Sequence, residues 1–447
     1  MKKLLLPLLP LLLFFAAHAQ SQPNCSAYTH DPGIPPVENV KASTLQQRKG
    51  SYDFSWLNRD LKANKVVLIG ENHWMASVQA AARDLVFHLN DVDRYPVLVL
   101  EVPFSVSPFI NSYINCQTDT CDQFLNILKP YYSSREEVSF LNQLRDWNAT
   151  HPDKQLTVVC SDTEQEYMFS LRNVLSYYFK QQGHDDFWER LRKADNDNDL
   201  VLAYLDSLLQ QSPEGFSVKG RPYLDKAFVG NVLDNLKTMV RAREGMNKAR
   251  REGRGEAEAF EVFMRLRTAG IIDNLTSEAK YGRLIRENKV ILWGGSTHMR
   301  TQQLPGEQKQ THEGWYLAHE YAPTKGRVLS IKLDNLAYTI PEAYYTSDSY
   351  RKRNAQFARL VDLYKRCNKE GSGSYYGLIN KPTGFTSAVV AKFKANQDQP
   401  VWLKGNGQLR KLVKKSPALL KDRQLSDYAA HDYVIVFPHS LLFEQND

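Results

Sequence analysis

The stretch Lys65-Val66-Val67-Leu68-Ile69-Gly70-Glu71-Asn72-His73 decides the fold class. A short, mostly β-branched apolar run stopped by glycine reads as a buried strand that ends in a tight turn. Just after it, Met75, Val78, Leu85, Val86 and Leu89 recur at helical spacing. Further along, Pro96 to Leu100 is a second such strand ending in Glu101, and Leu156 to Cys160 a third ending in Ser161-Asp162. Between these two lies one helical stripe, Phe140, Leu141, Leu144 and Trp147. The pattern returns at Lys289 to Trp293, at Arg327 to Ile331 and at Tyr433 to Phe437. Strands alternating with helices predict an α/β fold with a mainly parallel central sheet flanked by helices.

The chain begins with a positive Met1-Lys2-Lys3, an apolar run from Leu4 to Ala17 and a small-x-small site at Ala17-His18-Ala19. Residues 1–19 therefore read as a signal peptide and the protein as exported, periplasmic or secreted. Neither that run nor any later one is long enough for a transmembrane helix. Residues 20–50 read as an extended lead-in and 51–344 as the α/β domain. Within that domain, about 165–285 reads as a helical insertion, from the stripes Leu171, Val174, Leu175, Tyr178 and Val201, Leu202, Leu205, Leu208. Residues 345–430, with Gly371-Ser372-Gly373-Ser374 and the lysines 411, 414 and 415, read as a peripheral lobe, and 431–447 as a last strand returning to the sheet.

Composition narrows the function classes. The 447 residues are 42% hydrophobic and 24% charged, which excludes wholesale disorder and a membrane-embedded bundle. The net charge of +7 falls to +5 once Lys2 and Lys3 are removed, too mild to imply a nucleic-acid partner. Six basic residues between Arg241 and Arg254 lack interleaved aromatics and read as a solvated helix face. A small molecule or a peptide is the expected substrate. Of the five cysteines, Cys116 and Cys121 are the candidates for a local disulfide and Cys160 reads as a small buried hydrophobe, while a Cys25–Cys367 pair stays open. Asn24, Asn148 and Asn274 lie in Asn-x-Ser/Thr sequons.

The chemistry gathers in two turns of the same form. Gly70-Glu71-Asn72-His73 follows one apolar strand and Gly295-Ser296-Thr297-His298 another, and Glu101 and Asp162 end two more. In open α/β sheets ligands bind beyond the carboxyl ends of the strands, where all four side chains are predicted to converge. Two imidazoles with carboxylates suit either activation of water by a general base or the holding of a cation by His73, His298 and Glu101. Asp162 reads equally as a helix N-cap. The other histidines, His431 among them, read as structural.

These motifs, Val66 to His73, Glu101 after its strand, and Val290 to His298, resemble the superfamily of erythromycin esterases, ChaN-like haem-binding lipoproteins and metal-dependent Tiki/TraB proteases. The resemblance runs from about residue 45 to 345 plus the last strand, and the Gly-x-x-His spacing is closer to the ChaN and Tiki/TraB branches. It implies a hydrolase in which His73 is the base that activates water, with Glu71, Glu101 and His298 in the site and an arginine of the following helix near Arg83. By the same resemblance the site works without a cofactor, or with a divalent metal or haem. Hydrolysis of an ester, lactone or amide is one expectation; a haem or metal carrier, or a metal-dependent peptidase, is the alternative.

Overall fold

The computed structural model describes residues 40–339 and 384–441, apart from short breaks of which 304–310 is the longest. Eight strands form one sheet: β1 Ser43–Thr44, β2 Val66–Glu71, β3 Val97–Pro103, β4 Thr157–Asp162, β5 Val290–Gly295, β6 Val328–Asn335, β7 Val401–Lys404 and β8 Tyr433–Phe437. Their spatial order is β1-β7-β8-β6-β2-β5-β3-β4. The six from β8 to β4 run parallel, while β7 pairs antiparallel with β8 and β1 antiparallel with β7. The expected α/β class with a mainly parallel sheet is what the chain adopts. Strands β2 and β5 sit at the centre, and burial on both faces explains why they read as unbroken apolar runs.

Helices cover the sheet for reasons visible in their own sequences. Helix α1, Ala76–Asp93, buries Val78, Ala82, Leu85, Val86 and Leu89, and each leucine stabilises the packing by roughly 2 kcal/mol. Helix α2, Ser107–Ile114, carries a proline in its first turn, where the missing N–H costs nothing. Helix α3, Arg135–Thr150, opens with a capping box: Ser134 Oγ accepts from the Glu137 N–H at 3.1 Å, and Glu137 Oε2 accepts from the Ser134 N–H at 3.0 Å. In the insertion, α4 Lys226–Arg251 and α5 Glu256–Thr276 form a long hairpin, and α5 packs against β4. That packing brings one face of α5 to the carboxyl edge of the sheet.

Two features depart from the reading of the sequence. The insertion holds a two-stranded ribbon, Ser217–Val218 against Arg221–Asp225, turned at Gly220 with φ +79°. The strands are too short and too polar to show a period of two, which is why the stretch reads as purely helical. Both flanks of the chain also enter the sheet, since β1 comes from the segment read as a lead-in and β7 from the one read as a peripheral lobe. Together they extend one side of the sheet, with β7 between β8 and the outermost β1.

The Cys116–Cys121 disulfide is present, with a Cα–Cα distance of 5.6 Å, and Cys160 is a buried free thiol. Asn148 and Asn274 are buried staples: the Leu156 N–H donates to Asn148 Oδ1 at 2.8 Å, and Asn274 Nδ2 donates to Ser161 O at 2.9 Å. Neither sequon is open to glycosylation in the folded chain. The leader, Asn24, Cys25, Cys367 and Gly371 to Ser374 lie outside the described residues. Among the described residues no helix is long and apolar enough to cross a membrane.

Candidate functional site

Strands β2 and β5 are neighbours in register, with Gly70 beside Gly294 and Glu71 beside Gly295, so their two turns leave the sheet together. The Ser296 N–H donates to Glu71 O at 3.0 Å and ties one turn to the other. Glycine is required for this approach. A Cβ on Gly70 would lie 2.9 Å from Ser296 Cα, and one on Gly294 would lie 2.5 Å from Glu101 Oε2. A register irregularity in β3 between Leu100 and Pro103 accompanies the placement of Glu101 at this edge, as bulges often do where a side chain is re-aimed.

His73 is the imidazole that meets solvent. Its side chain is 35% exposed, and its Nδ1 lies 3.1 Å from Glu71 Oε1. The other oxygen of Glu71 accepts from Trp293 Nε1 at 2.7 Å, which fixes the carboxylate and through it the ring. The ring's Nε2 faces Gly295, where a Cβ would come within 3.0 Å. Burial works against a charge on His73, but the hydrogen bond and negative charge of Glu71 outweigh it and raise its pKa above 6.5.

Beneath His73 lies a buried ion cluster centred on Arg267 of α5. Its Nη2 donates to Glu101 Oε1 at 2.6 Å and to Asp162 Oδ2 at 2.7 Å, its Nε to Asp162 Oδ1 at 2.9 Å, and its Nη1 meets His298 Nε2 at 3.1 Å. The second oxygen of Glu101 accepts from the Gly295 N–H at 2.6 Å. Burial alone would raise the Glu101 pKa; the charges of His298, Arg267 and His73 reverse this and hold it well below the usual range. His298 is enclosed between carboxylates, with Nδ1 2.8 Å from Glu313 Oε2 and Nε2 3.4 Å from Glu101 Oε1. Burial opposes its charge, but Glu313 and Glu101 prevail and push it up to about 9. Glu313 opens helix α6, Glu313–His319, and its Oε1 has no hydrogen-bond partner among the described residues.

A second network adjoins the first. Lys332 of β6 is hydrogen-bonded to Asp427 of helix α7, Arg423–Ala429, and lies 3.6 Å from Asp334 and 3.4 Å from Ser296 Oγ. Asn72 donates to Asp334, so the lysine braces both turns. Arg300 Nη2 donates to Asp427 Oδ1 at 2.6 Å. His431 packs against Gly70, with Nδ1 2.7 Å from Ser330 Oγ and Nε2 without a partner among the described residues. Burial, opposed by Asp427 and helped by Lys332, Arg300 and Arg410, pushes it down to about 3.

Of the residues singled out from the sequence, the fold brings Glu71, His73, Glu101, Asp162 and His298 into one cluster. Arg83 is placed elsewhere: its Nε and Nη2 both donate to Asp84 Oδ1 at 3.2 Å on the outer part of α1. The arginine in the cluster is Arg267, which the sequence reading missed together with Glu313 and Trp293. A signal for Arg267 existed. It lies in the buried stripe Ala259, Phe263, Arg267, Ile271, Asn274 of α5, and an arginine in such a stripe demands a buried anionic partner. Trp74, next to His73, stands out too: it adopts φ +64° and is 39% exposed. The left-handed conformation costs a side-chain-bearing residue roughly 1–2 kcal/mol.

The donor set does not fit a metal ion. Both oxygens of Asp162, one of Glu101 and Nε2 of His298 face the Arg267 guanidinium, so a divalent cation bound by them would sit against a fixed positive charge. Among the described residues no group of three His, Cys, Asp or Glu is arranged to hold one.

No protein-family model matches the chain, and no curated protein matches it in sequence. Solved structures do share its fold. A protein from Bacillus cereus matches 91% of this chain and 97% of its own at TM-score 0.52 and 12% identity. A succinoglycan biosynthesis protein matches 90% of this chain and 95% of its own at TM-score 0.52 and 11% identity. The neighbours also include a mutant of the erythromycin esterase EreC in its open conformation, at TM-score 0.46 and 12% identity, covering 90% of this chain and 98% of its own.

Proposed function

We propose that the chain is an exported, metal-independent hydrolase of the erythromycin-esterase-like and ChaN-like superfamily, cleaving an ester, lactone or amide. The observation that carries this reading is the state of His73: solvent-facing, oriented through Nδ1 by a carboxylate, and with Nε2 left to act. Glu71 accepts the Nδ1 proton, so the lone pair of the neutral ring lies on Nε2. That nitrogen takes a proton from water as the oxygen attacks the carbonyl carbon, and returns it to the departing alkoxide or amine. Arg267 and His298 hold positive charge beneath the base, so Glu101 and Asp162 do not oppose the negative charge that builds on the carbonyl oxygen. Arg267 takes the part expected of Arg83.

The base is active when neutral. Turnover is expected to rise with pH along a limb whose apparent pKa lies above 6.5. The test is hydrolysis of 1-naphthyl acetate by wild type and His73→Ala, with and without chelator. A drop of roughly 10²- to 10⁴-fold with an unchanged thermal midpoint is expected, because His73 is partly exposed. Wild-type activity in the variant would sink the reading. Loss of activity with chelator would turn it to a metal-dependent peptidase, and saturable haemin binding that His73→Ala abolishes would turn it to a haem carrier.

A further inference from the structure

All seven tryptophans lie within the described residues, and Trp74 is the exposed one. The others are half-buried or buried, as in the stack of Trp56 on Trp402 and the hydrogen bond from Trp293 to Glu71. Trp74 keeps 39% of its surface in water, holds a backbone conformation suited to glycine, and follows His73, with ring centroids 5.8 Å apart. Neither packing nor local backbone preference accounts for a tryptophan here. Strain of this kind is retained where the surroundings or a ligand make use of it.

We infer that Trp74 is a stacking platform beside His73, built to receive a planar ring of the substrate and to set the carbonyl against Nε2. A flat indole face gains most from a flat partner, by dispersion and by release of the water on both faces. The substrate class this adds is an ester or amide carrying an aromatic or otherwise planar ring close to the scissile bond. The placement rests on the hydrolase reading, but binding does not require turnover.

The test uses 2-naphthamide as a ring probe, titrated calorimetrically into wild type, Trp74→Phe and Trp74→Gly, with thermal midpoints of all three. The expected result is weakening of about tenfold in Trp74→Gly, an intermediate value in Trp74→Phe, and a midpoint in Trp74→Gly equal to or above wild type, because glycine relieves the strained turn. Equal affinity in all three proteins, no binding by wild type, or a lowered midpoint at unchanged affinity would each overturn the platform. A parallel comparison of 1-naphthyl acetate with butyl acetate separates the two ideas. If wild type cleaves neither ester, the hydrolase reading fails while the naphthamide titration still decides the platform. If it cleaves both, Trp74→Gly is expected to lower the naphthyl-to-butyl ratio of kcat/KM about tenfold, mostly through KM.

Discussion

His298 and His431 are both buried at the root of the two motif turns, yet one is pushed up to about 9 and the other down to about 3. Burial acts on both in the same direction. The difference is the company each keeps: His298 is held between Glu313 and Glu101, which prevail over the Arg267 guanidinium at its Nε2, whereas His431 has Asp427 opposed by Lys332, Arg300 and Arg410. The surroundings favour the charged form of the side chain in one network and the neutral form in the other. Type and burial therefore do not assign a histidine its role; the signed charges around it do.

The largest effect that bears on this contrast comes from Arg267, which keeps the carboxylates around His298 paired. Arg267→Met leaves Glu101 and Asp162 buried without their cation and should cost about 3–5 kcal/mol in urea unfolding. Adding Glu101→Leu and Asp162→Leu should recover much of that loss. A single substitution costing under about 1 kcal/mol would mean that the ion cluster is not what holds α5 to the sheet.

His298→Gln should come next. The wild-type pKa is raised on folding, so His298 contributes stability that is fully present below 6.5 and lost as pH rises through about 9. The deficit of the variant should be on the order of 3 kcal/mol at pH 6 and should shrink between pH 7 and 9. A deficit that stays constant across that window would remove the charge from His298.

His431→Leu should show the opposite slope. Its folded pKa is depressed, so the wild-type contribution is present above 6.5 and is lost as pH falls toward about 3. Relative to wild type, the leucine variant should gain about 1.4 kcal/mol per pH unit below 6.5. A flat difference between pH 7 and 4 would put a charge on His431. The smallest effect is local: Glu313→Gln should lower the His298 pKa by about one unit in an NMR titration while leaving His431 unmoved.

How much was legible varies by residue. Strand β2 and helix α1 were readable because a run buried on both faces and a half-buried helix leave different periods in the chain. Glu71, His73, Glu101, Asp162 and His298 were readable because each sits at a strand end, and a parallel sheet places strand ends on one edge. Arg267 and Glu313 were not. They follow no strand, and they reach the cluster because α5 packs on β4 and because α6 begins beside His298. The ribbon at Ser217 to Asp225 and the short strands β1 and β7 were hidden for another reason, since short strands carry too few residues to show an alternation.

By itself the sequence determined the class of fold and the edge of the sheet where polar side chains gather, because apolar periodicity and glycine turns are local properties. The tertiary structure decided which arginine joins the cluster, which of its histidines faces water, and which buried imidazole has surroundings that favour the charged form. Those outcomes depend on distances of 2.6–3.4 Å between groups 166 and, for His298 and Glu101, 298 − 101 = 197 residues apart along the chain, and electrostatic energies are set by such distances and by burial.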